Sequence, residues 1–287
     1  MSFIFKLLSR LSAEYTWAKL DLMACLVYNQ RKPRVEIIPP SCPGEMNTGF
    51  CDLAVVTFNN AEVVEYQIRT LRKFFVYPFR YTVFDNSTND DIAEKIQEVC
   101  EKYKVGYVRL PRQEFLPKGF GSYSHGMACN WLFEKYIKNG GAKYFGLLDH
   151  DIFLTAPFDI SQHLQKQFFY GTKHRFYVWP GLWFMPMQRL LDKGVDFRPS
   201  LHHHGDTGAR NGAIHFKNLD WTKFNIVEDV KCLFDDTDND IFRNGYSVMG
   251  GCWLHCWNAS DYMGKGVNNK MQRIYVKLEK ALRDKEL

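Results

Sequence analysis

The sequence lacks a long, uninterrupted run of apolar residues. Its first 28 residues follow a helical apolar pattern, but Lys6, Arg10 and Lys19 interrupt it, whereas a transmembrane helix needs about 20 consecutive, mostly apolar residues. No small-residue cleavage site follows a clean apolar stretch, so we expect neither a bilayer span nor a secretory signal. The segment is predicted to form a helix that either lies in a membrane interface or packs on the flank of the domain.

The chain also lacks a concentrated patch of basic residues. Its net charge is +5, and its 37 lysines and arginines are spread along the sequence, unlike the basic stripe of a nucleic-acid-binding domain. We therefore expect no nucleic-acid partner. An anionic small molecule or an anionic membrane surface is compatible with this charge.

Regular cysteine spacing is absent as well. The eight cysteines are irregularly placed, and Cys100 and Cys129 fall inside apolar helical patterns, where cysteine behaves as a small hydrophobic residue. Cys252 and Cys256 flank His255, but no second pair follows at zinc-site spacing. These features favour a reducing compartment, so we expect a cytoplasmic protein, either free or held at the inner face of the membrane by its N-terminal helix.

What the sequence does contain is a repeated alternation of strand and helix patterns. The apolar run LAVVTF leads into an amphipathic helix whose start is predicted as a capping box of Asn59 and Glu62. YTVF, GYVRL and YFGLL are further strand candidates, and helical patterns separate them. This alternation predicts an α/β fold with a mostly parallel central sheet flanked by helices.

The same patterns divide the chain into three parts. We expect a helical N-terminal extension over residues 1–50, ending in a proline-rich and charged linker at 31–44. The main domain is predicted to span 51–269. An amphipathic C-terminal helix is predicted over 270–287.

Polar side chains follow the ends of the predicted strands. In parallel sheets, ligands bind beyond the carboxyl ends of the strands, where the loops converge. The polar residues at these ends are Thr57, Asn59, Asp85, Asn86, Asp149 and Asp151. Asn and Asp also suit turns and helix starts, and this alternative stays open for Asn59 and Asn86. The pair Asp149 and Asp151, directly after the apolar FGLL, is the more specific signal.

The two aspartates suit a hard divalent cation. Carboxylate oxygens are preferred ligands of Mg²⁺ and Mn²⁺, and a nucleotide diphosphate can approach an acidic edge only with a cation between the charges. Each pair of opposite unit charges at 4 Å gains roughly 4 kcal/mol at an effective dielectric of 20. We therefore expect Mn²⁺ or Mg²⁺ as the cofactor and a nucleotide diphosphate as the ligand.

Four motifs occur in order between residues 51 and about 157. They are VVTFNN at the end of the first strand, VFDNS at Asp85 to Ser87, Gly126-Met-Ala128-Cys-Asn130 in a later helix, and Asp149-His150-Asp151. Together they resemble the GT-A glycosyltransferases, particularly the inverting, family 2-like bacterial sugar transferases. The resemblance implies a GT-A fold and transfer of a sugar from a nucleotide-diphosphate sugar donor to a glycan or lipid-linked acceptor, as in bacterial surface glycan synthesis.

The resemblance also implies roles for individual residues. The implied donor contacts are Thr57, Asn59, Asp85, Asn86, Gly126, Asn130 and Asp149. Asp85 would meet the nucleotide base, and since uracil offers a suitable N–H, a UDP-sugar is the favoured donor. Asp149 and Asp151 would hold the metal.

A carboxylate in the second half is expected to act as the catalytic base that deprotonates the acceptor hydroxyl. Asp206 is the preferred candidate, because glycines flank it in HHHGDTGARNG and the strand-like WPGLWFMP precedes it. The pair Glu228-Asp229 is the alternative. His202 to His204 cannot all ligate one ion, because consecutive side chains of an extended segment point in alternating directions.

His255 resembles the late histidine that joins the metal shell in some GT-A enzymes, and a core histidine bound to backbone is the alternative. Two functions of other classes also stay open. One is a non-catalytic nucleotide-sugar or glycan-binding protein. The other is a metal-dependent hydrolase or nucleotidyltransferase built on the same acidic edge.

Overall fold

A computed structural model describes residues 2–38, 49–200, 205–235, 238–261, 266 and 268–284. The strands are β1 (Val35–Ile37), β2 (Cys51–Thr57), β3 (Phe79–Asp85), β4 (Gly106–Arg109), β5 (Tyr144–Asp149), β6 (Ile152–Leu154), β7 (Tyr170–His174), β8 (Tyr177–Pro186), β9 (Asp229–Leu233), β10 (Gly245–Met249) and β11 (Trp253–His255). The helices are α1 (Ser2–Leu26), α2 (Ala61–Phe74), α3 (Asp90–Lys102), α4 (Gly121–Leu132), α5 (Ile160–Leu164), α6 (Met187–Lys193), α7 (Asn211–His215), α8 (Ile241–Asn244) and α9 (Asn268–Arg283).

The larger sheet has seven strands in the order β1-β4-β3-β2-β5-β8-β7. β2 lies at its centre and pairs in parallel with β3 and β5, and β3 pairs in parallel with β4. β1 and β8 are antiparallel to their neighbours, so five of the seven strands run in one direction. The predicted α/β class with a mostly parallel central sheet is confirmed.

Helices cover both faces of this sheet. Ala54 and Val56 of β2 pack into a core that includes residues of α1 and α4, whereas Leu53 and Val55 pack into a second core with α2 and α3. Every residue of β2 is buried, because the strand has a neighbour on each side and a helical layer on each face. Within β2, the polar residues are Asp52 near its start and Thr57 at its end.

The helix α2 begins one residue later than predicted. Asn60 is its N-cap, and the Asn60 side chain accepts a hydrogen bond from the backbone N of Val63. Asn59 instead has a left-handed backbone conformation with φ of 48°, which asparagine tolerates better than most residues. The side chain of Asn59 therefore does not cap α2.

A smaller sheet has the order β6-β11-β10-β9 and is antiparallel throughout. β6 follows β5 after a turn of two residues, so the smaller sheet extends from the carboxyl edge of the larger one. The sequence pattern predicts none of these short strands. The C-terminal helix α9 packs on α2, where Tyr275 stacks on Tyr66 with ring centroids 4.5 Å apart.

The N-terminal extension is integrated into the main domain. Leu20, Ala24 and Tyr28 are buried in the core that α4 shares, and β1 pairs with β4 at the edge of the larger sheet. The predicted linker is therefore corrected at residues 35–37, which form a strand, while residues 39–44 lie outside the described part of the chain. Of the described helices, none is both long and apolar enough to cross a bilayer.

Candidate functional site

The turn after β5 places the two predicted metal-binding aspartates at the carboxyl edge of the larger sheet. Asp149 is the last residue of β5, and Asp151 directly precedes β6. The buried Gln67 of α2 donates hydrogen bonds to the carbonyl oxygens of Asp149 and Ile152 at 2.8 and 2.7 Å. The amide oxygen of Gln67 accepts a hydrogen bond from Tyr81 Oη at 2.5 Å. Gln67 therefore fixes the backbone of this turn.

Each aspartate of the pair faces a histidine. Asp149 Oδ1 lies 3.7 Å from His125 Nε2, and Asp151 Oδ1 lies 3.6 Å from His255 Nε2. Burial, and then the negative charges of Asp151 and Asp206, raise the pKa of Asp149 well above its usual range. Burial lowers the pKa of His125 to about 4 and also lowers the pKa of His255. Both imidazoles are therefore neutral near pH 7 and can accept a hydrogen bond or ligate a metal.

A loop that follows β11 closes over this turn. The backbone N of Ala259 lies 3.4 Å from Asp151 Oδ2. Ser260 Oγ donates to the carbonyl oxygen of Phe58 at 2.6 Å and lies 2.9 Å from His150 Nε2. The ends of β2, β5 and β11 are thus joined at one edge.

The two candidate catalytic carboxylates lie near different members of the acidic pair. The charge of Asp206 acts on Asp149 and His125, whereas the charge of Asp229 acts on His255. Both carboxylates belong to exposed residues, so both are accessible to a large acceptor. His202 to His204, which precede Asp206 in the chain, lie outside the described residues.

A cavity of about 550 Å³ opens beside the ends of β3 and β4. Its walls include the turn at residues 86–88, the segment 111–121, Ser124 of α4 and Arg34 of the N-terminal extension. Ser124 is followed by His125, which faces Asp149, so α4 connects the cavity to the acidic pair. α4 begins at the cavity wall without a side-chain N-cap, and the N-terminus of a helix favours an anion.

Asp85 lies outside the cavity wall. It is fully buried, and its Oδ1 and Oδ2 accept hydrogen bonds from the backbone N of Ser87 and from Tyr107 Oη, both at 2.8 Å. Because the carboxylate is enclosed in this arrangement, Asp85 shapes the turn after β3 and does not offer the direct base contact that the sequence predicts. Its neighbour Asn86 does line the cavity.

Thr57 is the last residue of β2, and Asn59 lies in the turn that follows it. Thr57 is fully buried, and among the described residues its hydroxyl has no hydrogen-bond partner. Asn59 Oδ1 accepts hydrogen bonds from the backbone N atoms of Thr88 and Asn89 at 3.1 and 3.2 Å. Asn59 therefore ties the turn after β2 to the turn that forms one wall of the cavity.

Gly126 and Asn130 hold α4 against residues 196–198. A Cβ atom at Gly126 would lie 2.5 Å from the carbonyl oxygen of Phe197, so only glycine permits this close approach. Asn130 Oδ1 accepts a hydrogen bond from the backbone N of Phe197 at 2.7 Å, and its Nδ2 donates to Asp196 Oδ1 at 3.0 Å. In the structure these two predicted donor contacts are packing residues behind the site.

Two partly buried tryptophans flank His255. The imidazole centroid lies 5.0 Å from the ring of Trp179 in β8 and 5.6 Å from the ring of Trp257. Their indole rings offer apolar faces beside the acidic pair. The third neighbour of His255 is Asp151, whose Oδ1 lies 3.6 Å from the imidazole Nε2. This contact favours the site role of His255 over the core-histidine alternative.

The acidic pair fits part of a divalent-metal shell. Asp149 and Asp151 supply hard oxygen donors, and His255 supplies a neutral nitrogen. Within the residues that the structure describes, no group of three His, Cys, Asp or Glu side chains is arranged to hold a metal ion. A cation here would need ligands from a bound phosphate as well.

Sequence reasoning missed three residues that organise the site, namely Gln67, His125 and Ser260. Gln67 carried a usable signal, because it is an amide on the buried face of an amphipathic helix. His125 lies within the glycine-rich PKGFGSYSHG, but its contact with Asp149 depends on how α4 packs. Ser260 carried no signal, since its partners lie more than 100 residues away.

Comparisons with known proteins give partial structural likenesses. A mannosyltransferase from Pyrobaculum calidifontis, PcManGT, solved with GDP-Man and Mn²⁺, is 13% identical, with 63% of this chain and 57% of that chain aligned and a TM-score of 0.40. S. aureus TarS 1–349 is 14% identical, with 51% and 50% aligned and a TM-score of 0.34. The aligned part thus spans about half the length of each. No family model and no curated protein matches the chain.

Proposed function

We propose that the protein is a GT-A-type glycosyltransferase that moves a sugar from a nucleotide-diphosphate sugar to an acceptor hydroxyl with the help of a divalent cation. The observation that carries this proposal is the pair Asp149 and Asp151 at the carboxyl edge of the parallel strands, with the charge of Asp206 acting on Asp149. Carboxylates of this kind repel each other and a nearby diphosphate unless a cation lies between the charges.

We assign the nucleotide to the cavity of about 550 Å³. Asn86 Nδ2 donates to Ser124 Oγ at 3.0 Å, so a polar bridge crosses the wall where a base or ribose would bind. Arg112 and Lys118 add positive charge to the rim. The diphosphate would lie between the N-terminus of α4 and Asp149.

We assign the metal, Mn²⁺ or Mg²⁺, to Asp149, Asp151 and His255. A bound divalent cation would neutralise the diphosphate and stabilise its departure. The chain's own contribution is to keep the ligands in place, since Gln67 fixes the turn and Ala259 N lies 3.4 Å from the Asp151 carboxylate.

We assign the general base to Asp206. Its carboxylate would take the proton of the acceptor hydroxyl as the acceptor oxygen bonds to the sugar and the bond to the diphosphate breaks, which inverts the anomeric centre. Its exposure and its charge interaction with Asp149 support this role. Trp179 and Trp257 would stack on a glycan acceptor or on the sugar of a lipid-linked one.

Product analysis tests this function against the alternatives. The protein is incubated with UDP- and GDP-sugars, Mn²⁺ and a panel of glycan acceptors, with Asp151→Asn as the inactive control. We expect nucleoside diphosphate and glycosylated acceptor in equal amounts. Free sugar without a glycosylated product would indicate a hydrolase, inorganic diphosphate a nucleotidyltransferase, and binding without turnover a non-catalytic protein.

We also propose that α1 contacts an anionic lipid surface. Leu11, Tyr15, Leu22 and Leu26 are 53%, 72%, 57% and 65% exposed, and their spacing of four, seven and four residues puts them on one face of the helix. The same helix carries Lys6, Arg10 and Lys19, whose charge complements anionic lipid. The opposite face, with Leu20 and Ala24, packs on the domain.

A further inference from the structure

An ion-pair network joins α1 to the segment that carries Asp206. Asp21 of α1 accepts hydrogen bonds from Arg198 Nη1 at 3.1 Å and from Arg210 Nη2 at 3.0 and 2.9 Å. Tyr123 of α4 donates its hydroxyl to the same carboxylate. The side chains of Asp21, Arg198 and Arg210 are 32%, 15% and 24% exposed, so the network is partly shielded from solvent.

The two arginines precede and follow Asp206 in the chain. Arg198 pairs with Asp196 at 2.7 Å, and Arg210 reaches the same carboxylate at 3.4 Å. Arg210 Nε also donates to the carbonyl oxygen of Pro199 at 3.0 Å. Both ends of the segment that carries Asp206 are therefore held by guanidinium groups that converge on Asp21.

The segment is also attached to α4. Thr207 Oγ1 donates to the carbonyl oxygen of Ser122 at 3.0 Å, and the backbone N of Thr207 donates to Asp206 Oδ1 at 2.7 Å. α4 carries His125, which faces Asp149. The position of Asp206 relative to the acidic pair is thus set where α1, α4 and this segment meet.

We propose that Asp21 is a positioning residue for the transfer reaction, which holds Arg198 and Arg210 and thereby sets the position of Asp206. The inference rests on the proposed role of Asp206 as the base. Without the charge of Asp21, the two guanidinium groups share Asp196 alone, and a partly buried ion network that loses one member is strongly destabilised. A displacement of about 1 Å at a reacting group can lower a rate about a hundredfold.

The variant Asp21→Asn tests the proposal, because it removes the charge and keeps the size. We expect kcat to fall by about tenfold to a hundredfold, donor affinity measured by calorimetry to stay within about twofold, and Asp21→Glu to restore part of kcat. Glu279→Gln is the matched control. Glu279 is 29% exposed and pairs with Arg69 at 2.6 Å, in a separate ion pair that joins α9 to α2, so the kcat of Glu279→Gln should not change.

A double variant separates positioning from general damage. If Asp21 acts through Asp206, then Asp21→Asn should have no further effect in an Asp206→Asn background. An equal loss in both backgrounds would overturn the inference, as would normal kcat in Asp21→Asn when Asp206→Asn is inactive. Normal turnover in Asp206→Asn would instead remove the proposed base itself.

Folding of each variant is checked by its thermal unfolding midpoint. If Asp21→Asn does not fold, Arg210→Lys takes its place, because lysine keeps the charge but cannot contact Asp21, Asp196 and the carbonyl oxygen of Pro199 at once, as Nη2, Nη1 and Nε of Arg210 do. The same loss of kcat with unchanged donor affinity is then expected. Unchanged kcat in a folded Arg210→Lys variant would contradict the proposal.

Discussion

At the scale of single residues, the contacts of the site converge on Asp149. Its carbonyl oxygen is held by Gln67 at 2.8 Å, its carboxylate lies 3.7 Å from His125, and the charges of Asp151 and Asp206 act on it. A bound cation would relieve this repulsion and favour the ionised form of Asp149. We therefore propose that these carboxylates serve ligand binding, since like charges held together do not stabilise a fold.

Substitution of Asp206 and substitution of Asp229 are expected to affect the chemical step differently. Loss of a positioned base typically lowers a rate by about a hundredfold to ten-thousandfold, so Asp206→Asn should lose turnover while donor affinity stays within a few-fold. Steady-state kinetics and donor titration of Asp206→Asn and Asp229→Asn check this. If Asp229→Asn is the inactive variant, the base has been misassigned. If both variants are active, the inverting mechanism itself is contradicted.

The acidic pair could be predicted from the sequence, because two acids directly after a buried strand almost always lie at a sheet edge. The role of Asp85 could not. Its place at the end of β3 was correct, but whether its carboxylate faces a ligand depends on Tyr107, which comes from a different strand and closes over it. The local sequence pattern predicts where a strand ends. Whether a side chain at that end is enclosed depends on residues that are distant in the sequence.

At the scale of elements, the alternation from β2 to β5 was predictable because each strand is a short apolar run and helical patterns separate the strands. Of these helices, α2 and α3 are strongly amphipathic, whereas α4 is only weakly so. The strands β6 and β9 to β11 were not, because they contain three to five residues each. All the described residues of β9 except Cys232 are exposed, so its apolar residues do not mark a buried face. Its pairing is decided by β10.

The helix α1 gives a prediction about membranes. Burial of an exposed leucine contributes about 1.5 to 3 kcal/mol, so the stripe should bind vesicles that contain anionic lipid. The double variant Leu22→Ser/Leu26→Ser should lose this binding in a flotation assay. Val276→Ser is the control, since Val276 is 70% exposed on α9. The proposed contact would be wrong if the unaltered protein stayed with the vesicle-free fraction, or if the double variant floated equally well.

At the scale of the whole molecule, the site is assembled from distant parts of the chain. The cavity takes Arg34 from the N-terminal extension, Asn86 from the turn after β3 and Ser124 from α4, while the loop at Ser260 closes the acidic edge from the smaller sheet. Such convergence has no local sequence signal. Arg34 reaches the cavity because β1 pairs with β4 and α1 packs into the core. The sequence analysis had placed this N-terminal extension outside the main domain.

The central claim is that a divalent cation between the acidic pair and a diphosphate is required for donor binding. Calorimetric titration of UDP and of GDP, each in Mn²⁺ and in chelator, tests it directly, with Asp229→Asn as a variant expected to bind normally. We expect affinity to fall about a hundredfold or more in chelator, because one charge contact at 4 Å is worth roughly 4 kcal/mol at an effective dielectric of 20. We expect Asp151→Asn to bind weakly with or without Mn²⁺. Equal affinity in Mn²⁺ and in chelator, or an Asp151→Asn variant with unchanged cation dependence, would contradict the account.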